Sequence, residues 1–395
     1  MATLTTGPRT SRSRKSRLGR TGSLLAGYDW LLIGPALALS VVGSFLVWSA
    51  TRSALLDEGL DPQYYFKRHL LNLAIALVMG FGISRISHQA LKSVAVYIYA
   101  VGIVGLVVVL IPGVGTTVNG AQSWIRLPAG FSFQPSEIAK LGLIVLLAML
   151  LSERIDNETA PRTRLIVLAI AATALQLLLI LLEPDFGTTV ITSVIAISVI
   201  AVSGVKVRWL IGLAAVGAIG AFTAIYFGFV SSYQVDRIAA FADPTLDPDG
   251  AGYNAQQARI AIGAGGLAGQ GLFQGSQTAG QFVPEQDTDF IFTVAGEELG
   301  FLGSAGILVL IAMVLWRSLR IASQASDVYG RLLAVGIVAW FAFQSFQNIG
   351  MNLGIMPVTG VPLLFVSYGG SSLFAAWCAM GLLTTVSKET SLTRP

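Results

Sequence analysis

Long apolar runs recur along almost the whole chain and are separated by short polar segments. Several runs reach about 18 residues or more, and a helix of roughly 20 apolar residues crosses the hydrocarbon core of a bilayer. The pattern therefore predicts an all-α, polytopic helical membrane protein with about ten transmembrane helices. The predicted spans are residues 29–50, 69–86, 93–111, 137–151, 163–182, 187–203, 208–229, 290–315, 332–352 and 363–386.

Composition supports this fold class. Of the 395 residues, 54% are apolar and 12% are charged, whereas soluble domains have roughly 25% charged residues. The single cysteine, Cys378, cannot form an intrachain disulfide. His69 and His88 have no neighbours at metal-ligand spacing, so the sequence predicts neither a dedicated metal site nor a tightly bound cofactor.

Positive charge predicts the orientation of the chain. An even number of spans places both termini on one side, and most of the 25 Lys and Arg residues fall on that side, which is then the cytoplasm. Residues 1–27 are predicted to be a disordered basic tail, with anionic-lipid binding as the alternative. The transmembrane domain, 28–387, carries large outer loops at 112–136 and 230–289, and 388–395 forms a short cytoplasmic tail. Topology explains the net charge of +4, so no nucleic-acid partner is predicted.

One carboxylate lies at the boundary between a polar loop and an apolar run. Asp289 ends the loop 230–289 directly before Phe290, and a charge at a membrane boundary is a candidate functional group because its burial is costly. Glu297 follows eight residues later, so on a continuous helix the two acids would share a face and look into one cavity. The alternative is that these acids only cap helices or form ion pairs.

Cationic candidates occur near both outer loops. In the first loop Trp124 and Arg126 precede a predicted helix start, which is followed by Glu137 and Lys140. A lysine in an apolar helix should face the bundle interior or a polar cavity. Lys140 is therefore a candidate ligand contact, and an ion pair with Glu137 is the alternative. The second loop adds the candidates Arg237 and Arg259.

Three other segments allow more than one interpretation. The glycine-rich stretch 263–271 fits phosphate binding and close helix packing equally well. The acidic turn 183–185 is either a structural hairpin or part of the rim of the cavity. The segment 367–372, with its Gly-Gly and Ser-Ser steps, favours close helix packing over catalysis.

Several strings, found together and in one order over about residues 28–386, resemble the SEDS family of bacterial membrane proteins, which act in shape, elongation, division and sporulation. The strings are Asn119-Gly120, Gln134-Pro135-Ser136-Glu137 with Lys140, Glu183-Pro184-Asp185-Phe186-Gly187-Thr188, Thr288-Asp289-Phe290-Ile291-Phe292, Gly296-Glu297-Glu298-Leu299-Gly300 and Ser367-Tyr368-Gly369-Gly370-Ser371-Ser372.

The resemblance implies a peptidoglycan glycosyltransferase that polymerises lipid II on the outer face of the bacterial plasma membrane. It also implies partners, namely a class B penicillin-binding protein, which is the cross-linking transpeptidase, and other membrane proteins of elongation or division complexes. The string Asn348–Pro362 favours the RodA-like branch, which acts in elongation and cell shape, over the FtsW-like branch, which acts in division. The alternatives are a lipid II flippase and a non-catalytic division scaffold.

The resemblance also implies site residues. The family's proposed catalytic aspartate falls on Asp289, and its cavity-lining positions fall on Trp124, Glu137 and Lys140. Family members often have histidine two residues before the aspartate, where this chain has Asp287. A second carboxylate there is expected to raise the pKa of one of the two acids.

The implied reaction is a single inverting displacement, which needs one base at the acceptor hydroxyl and positive charge at the leaving pyrophosphate. Asp289 is the predicted base. A divalent cation, Mg²⁺ or Mn²⁺, bridging acids and pyrophosphate is compatible with the sequence, although no all-protein cage is visible. The predicted cations at the leaving group are Lys140, Arg126, Arg237 and Arg259.

Overall fold

The computed structural model describes residues 28–118, 120–154, 160–227, 237, 241 and 250–393. These residues are mostly α-helical, which confirms the predicted fold class. The first helices are α1 (Trp30–Asp57), α2 (Tyr64–Ile83), α3 (His88–Ser93), α4 (Ala95–Val109), α5 (Pro135–Ser152), α6 (Thr163–Leu182), α7 (Phe186–Val202) and α8 (Val207–Tyr226). The later helices are α9 (Ala251–Ala264), α10 (Ser276–Ala279), α11 (Ile291–Glu298), α12 (Gly300–Gln324), α13 (Val328–Asn352) and α14 (Gly370–Thr393).

Seven of the described helices, namely α1, α2, α5, α6, α12, α13 and α14, are long and apolar enough to cross a membrane. Three shorter apolar helices, α4, α7 and α8, accompany them. Each predicted span overlaps one of these helices, because a chain in lipid must satisfy its backbone hydrogen bonds internally. The side on which each loop lies stays a prediction.

Two predicted boundaries differ from the structure, and a third lies outside the described residues. The predicted span 290–315 is two helices, α11 and α12, which meet at Gly300. This glycine has a φ of +68°, and a Cβ there would lie 2.2 Å from the backbone nitrogen of Gly269, so only glycine fits without displacing its neighbours. The predicted tail 388–395 is helical as far as Thr393, and the predicted tail 1–27 lies outside the described residues.

The first outer loop contains a small antiparallel sheet that the sequence analysis did not predict. Its strands are β1 (Gly115–Val118), β2 (Ala121–Arg126) and β3 (Ser132–Phe133), in the order β1-β2-β3. The guanidinium of Arg68, on α2, lies 5.1 Å from the centroid of the Phe131 ring. This cation–π contact attaches the sheet to the helical bundle.

The bundle has central and peripheral helices. In the most apolar 18-residue stretch of each helix, 78% of the residues are buried in α5 and α14, but only 28% in α2, α6 and α12. Small residues allow the closest approaches, since a Cβ on Gly80 would lie 2.5 Å from the carbonyl oxygen of Trp377. The corresponding buried share of α13 is 61%, so α5, α13 and α14 form the core, and the outer faces of α2, α6 and α12 are left for lipid.

Candidate active site

A cavity of about 310 Å³ lies at the end of the bundle where α5 and α7 begin. Strand β2, the segment 285–289, the loop 357–362 and the start of α14 form parts of its wall. Three cationic and three acidic residues line it, so groups of both charges share one space. They are Arg68, Arg126, Asp185, Arg237, Glu285 and Asp289.

The backbone on either side of Asp289 is held by hydrogen bonds from two other parts of the chain. The carbonyl oxygen of Asp289 accepts from Nδ2 of Asn348, at 2.8 Å, and from Nδ2 of Asn352, at 3.1 Å. Both asparagines lie on α13, four residues apart and therefore on one face. Nδ2 of Asn348 also donates to the carbonyl oxygen of Val361, at 2.8 Å. The aspartate and the cavity-lining loop 357–362 are thus fixed to the same side chain.

The two preceding carbonyls are held as well. The backbone nitrogen of Tyr368 donates to the carbonyl oxygen of Asp287, at 2.8 Å. The hydroxyl of Ser367 donates to the carbonyl oxygen of Thr288, at 2.6 Å. Consecutive peptides are therefore immobilised while the half-buried carboxylate of Asp289 faces the cavity. Such preorganisation is what a catalytic group needs.

The electrostatics of the cavity favour a proton acceptor near neutrality. Burial raises the pKa of Asp289 to about 7, with a further rise from Glu285, a reduction from Arg237 and a smaller rise from Asp287. Burial likewise raises the pKa of Asp287 to about 6. The second carboxylate thus acts in the predicted direction, but burial and Glu285 contribute more.

Three of the predicted site residues lie with Asp289 around this cavity. Trp124 and Arg126 reach it from β2, and Arg237 reaches it from the second outer loop. Arg237 acts on the Asp289 carboxylate electrostatically. The residues of β2 lie more than a hundred positions before Arg237, which itself lies more than fifty positions before Asp289, so the tertiary structure brings them together.

The predicted placement of Glu137 and Lys140 in the cavity wall is wrong. Both side chains are buried within the bundle, with Nζ of Lys140 2.9 Å from Oε1 of Glu137. Nζ also donates to Oε1 of Gln344, at 3.1 Å, and lies 4.8 Å from the centroid of the Trp340 ring. The first turns of α5 point these side chains toward α13, where they form the ion pair of the alternative interpretation.

The prediction that Glu297 shares a cavity with Asp289 is also wrong. Helix α11 begins only at Ile291, so the spacing argument extended a helix through residues that form a turn. The buried carboxylate of Glu297 instead accepts from the backbone nitrogens of Gln277 and Thr278, at 2.7 and 2.9 Å, and from the Thr278 hydroxyl, at 2.7 Å. It caps α10 and orders the loop that leads to Asp289.

Arg259 does not lie in the cavity wall either. Its Nε donates to the carbonyl oxygen of Ala255 within α9, at 3.3 Å, and its side chain is exposed beside Gly354. The glycine stretch that follows α9 serves close packing, since a Cβ on Gly265 would lie 2.0 Å from the carbonyl oxygen of Gly296. This close approach favours helix packing over phosphate binding as the role of the glycine-rich stretch.

The two acids of the turn 183–185 lie in different places, one at the rim of the cavity and one inside the hairpin. Asp185 lines the cavity and caps α7, where its Oδ1 accepts from the backbone nitrogen of Thr188, at 2.9 Å. Glu183 is fully buried away from the lining, and burial, with a smaller contribution from Asp185, raises its pKa to about 9. Glu183 is therefore neutral at physiological pH and belongs to the hairpin, whereas Asp185 belongs to the rim.

Sequence reasoning missed Arg68, Glu285, Asn348 and Asn352 as parts of the site. Arg68 lies at the start of α2, where a cation is normally read as a topology signal. A better signal was available for the asparagines, because two amides four residues apart on an apolar helix are expected to face a polar partner in the bundle.

Comparison with known proteins identifies the family to which this chain belongs. The FtsW/RodA/SpoVE family model, described as "Cell cycle protein", matches residues 29–392. This chain belongs to the SEDS family. Stage V sporulation protein E of Bacillus subtilis (strain 168) is 39% identical over 363 residues, which are 91% of this chain and 97% of that protein.

Two further SEDS comparisons bear on activity. The probable peptidoglycan glycosyltransferase FtsW of Trichlorobacter lovleyi is 36% identical over 367 residues, which are 92% of this chain and 94% of that protein. A chain in the solved structure "Structural coordination of polymerization and crosslinking by a peptidoglycan synthase complex" aligns with a TM-score of 0.76 and 30% identity. The alignment covers 92% of this chain and 99% of that chain. The family assignment thus agrees with the predicted SEDS resemblance.

Proposed function

We propose that this protein is a peptidoglycan glycosyltransferase that polymerises lipid II into glycan strands at the outer face of the bacterial plasma membrane. Family membership and the named activity of the FtsW relative support the reaction class. The observation that carries the proposal is a single cavity lined by Asp289, whose backbone is held by hydrogen bonds, and by Arg126 and Arg237. A base and a cationic region in one space match the two needs of the displacement.

In the proposed reaction an acceptor sugar hydroxyl attacks the anomeric carbon of the donor lipid II. Asp289 accepts the hydroxyl proton as the new glycosidic bond forms. The bond between the anomeric carbon and the phosphate oxygen breaks, and the electron pair leaves with the lipid pyrophosphate. One in-line step converts the α-linkage of the donor into the β-linkage of the product.

The cavity arginines provide the charge that the leaving group needs. Guanidinium groups bind phosphate oxygens in bidentate geometry, and Arg126 and Arg237 approach the cavity from different segments of the chain. The described residues contain no cluster of three acids, histidines or cysteines that could hold a metal. A divalent cation such as Mg²⁺ or Mn²⁺ would therefore be held mainly by the pyrophosphate.

We further propose that the protein acts in cell elongation, with a class B penicillin-binding protein as its partner. The RodA-like string Asn348–Pro362 supports the elongation role. The similarity to a chain of a synthase complex that coordinates polymerization and crosslinking supports the partner. A partner that cross-links strands as they emerge would act directly on the product of the cavity.

Reconstituted protein with purified lipid II tests the function. Glycan chains should form when the protein and a class B penicillin-binding protein share a liposome. The matched control is the penicillin-binding protein alone. Movement of labelled lipid II across the bilayer without polymer would instead support a flippase. Neither polymer nor movement, in a protein that still supports growth, would support a scaffold.

The pH dependence of kcat/KM tests whether Asp289 is the general base. Because only the ionised carboxylate accepts the proton, kcat/KM should fall about tenfold per pH unit below the pKa of Asp289, about 7, and level off above it. Glu285→Gln removes a negative charge that raises this pKa, so its profile should move to lower pH. Arg237→Gln removes a positive charge that lowers it, so its profile should move to higher pH.

The control for this measurement is Glu58→Gln. Glu58 is exposed just beyond α1, does not line the cavity, and is absent from the charges that act on Asp289. Its profile should match that of the wild type. Shifts of Glu285→Gln and Arg237→Gln in the same direction would show that another group limits the reaction.

A further inference from the structure

A second cavity, of about 350 Å³, lies at the opposite end of the bundle from the candidate active site. It is formed where α5 ends and α6 begins, whereas the active-site cavity lies at the other ends of these helices. Lys92, Arg154 and Arg162 converge on it from α3, from the end of α5 and from the residue before α6. Glu153 is the one acid among the described residues that line it.

The charge in this cavity, which we call the basic cavity, is not balanced by the described residues. Among the described residues, none of its three cations forms an ion pair with a carboxylate. Nη2 of Arg154 donates to the carbonyl oxygen of Ser203, at 2.9 Å, and this acceptor carries no net charge. Asp327, the acid that Lys92 influences, already contacts Nε2 of His88, at 3.2 Å. Like charges that line one cavity repel one another, and an anion bound between them lowers this repulsion.

The surroundings of the basic cavity indicate the kind of anion. Helix α6 starts at its edge, and no side chain caps the backbone nitrogens of its first turn. These nitrogens favour a phosphate oxygen. Below the cavity the outer surface of α6 is apolar, with Leu168 and Leu175 each 45% exposed and Leu178 56% exposed. An anion that also has apolar chains would fit both surfaces.

We propose that the basic cavity binds the headgroup phosphate of an anionic phospholipid, with the acyl chains along α6. The predicted orientation places this end of the bundle at the cytoplasmic leaflet, where anionic lipids give the surface its negative potential. Basic pockets between transmembrane helices on that side commonly bind such headgroups. The inference is independent of the reaction proposed above, because the cavity shares no residue with the active site.

Native mass spectrometry of the detergent-solubilised full chain tests the site, with phosphatidylglycerol and phosphatidylcholine as probes. The wild type should retain phosphatidylglycerol in preference. Each neutralised cation should weaken retention about fivefold. A control variant changes the same number of exposed cations on the same predicted side. The test variant is Lys92→Gln/Arg154→Gln/Arg162→Gln, and the control is Lys206→Gln/Arg208→Gln/Arg320→Gln.

The single variant Arg162→Gln still tests the lipid site if the triple variant does not fold. Arg162→Gln alters one exposed side chain and should still weaken phosphatidylglycerol retention about fivefold. Equal retention by the test and control variants would overturn the proposal. Displacement of the lipid by inorganic phosphate at equal concentration would show a site for free phosphate instead.

Discussion

Replacing Asp289 by asparagine is expected to lower the rate of lipid II polymerisation by about 10²–10⁴-fold, the usual contribution of a general base. Asparagine has nearly the same shape, but its amide cannot accept the hydroxyl proton. The backbone carbonyl of residue 289 would keep its bonds to Asn348 and Asn352. The variant should therefore fold and bind lipid II while kcat falls, which a gel-based polymerisation assay over a range of lipid II concentrations would show.

Asp287→Asn is the matched control for this experiment. Asp287 lies two residues away, carries the same charge and is held through its own backbone carbonyl, but it does not line the cavity. Its removal should only shift the pH profile to slightly lower pH, because its charge helps to raise the pKa of Asp289. Equal polymer from wild type and Asp289→Asn would eliminate Asp289 as the essential base.

Replacing Lys140 by methionine is expected to destabilise the protein by about 3–5 kcal/mol, the usual result of removing one partner from a buried ion pair. Lys140 is 1% exposed, and its loss would leave the buried carboxyl of Glu137 without its cationic partner. The expected result is a lower thermal unfolding midpoint in detergent, with activity lost in proportion to folded protein.

The double variant Glu137→Gln/Lys140→Met separates structure from function. It removes both charges, and Oε1 of Gln344 keeps its bond from Nε1 of Trp340, at 2.7 Å. Replacing a buried ion pair by neutral residues is often harmless to stability. The thermal unfolding midpoint and the polymerisation rate should therefore both return close to their wild-type values. A double variant that folds but cannot polymerise would show that the pair contacts substrate after all.

The sequence by itself determined the fold class, a helical membrane protein with several spans. Whether a segment of about 20 residues can cross a bilayer depends on its own side chains, since the backbone satisfies itself within the helix. Asp289 was also recognisable locally, because a carboxylate between a polar loop and the apolar run that starts at Phe290 stands out without any knowledge of its neighbours. The SEDS strings carried the same local information.

Only the tertiary structure decided which residues share the cavity with Asp289. Helical periodicity failed between Asp289 and Glu297 because Glu285, with a φ of +52°, belongs to a turn that ends just before α11. Lys140 faces α13, and Arg237 lines the cavity from a position more than fifty residues before Asp289. Such placements follow from how helices pack and loops fold back, and these contacts between distant segments leave no regular spacing in the sequence.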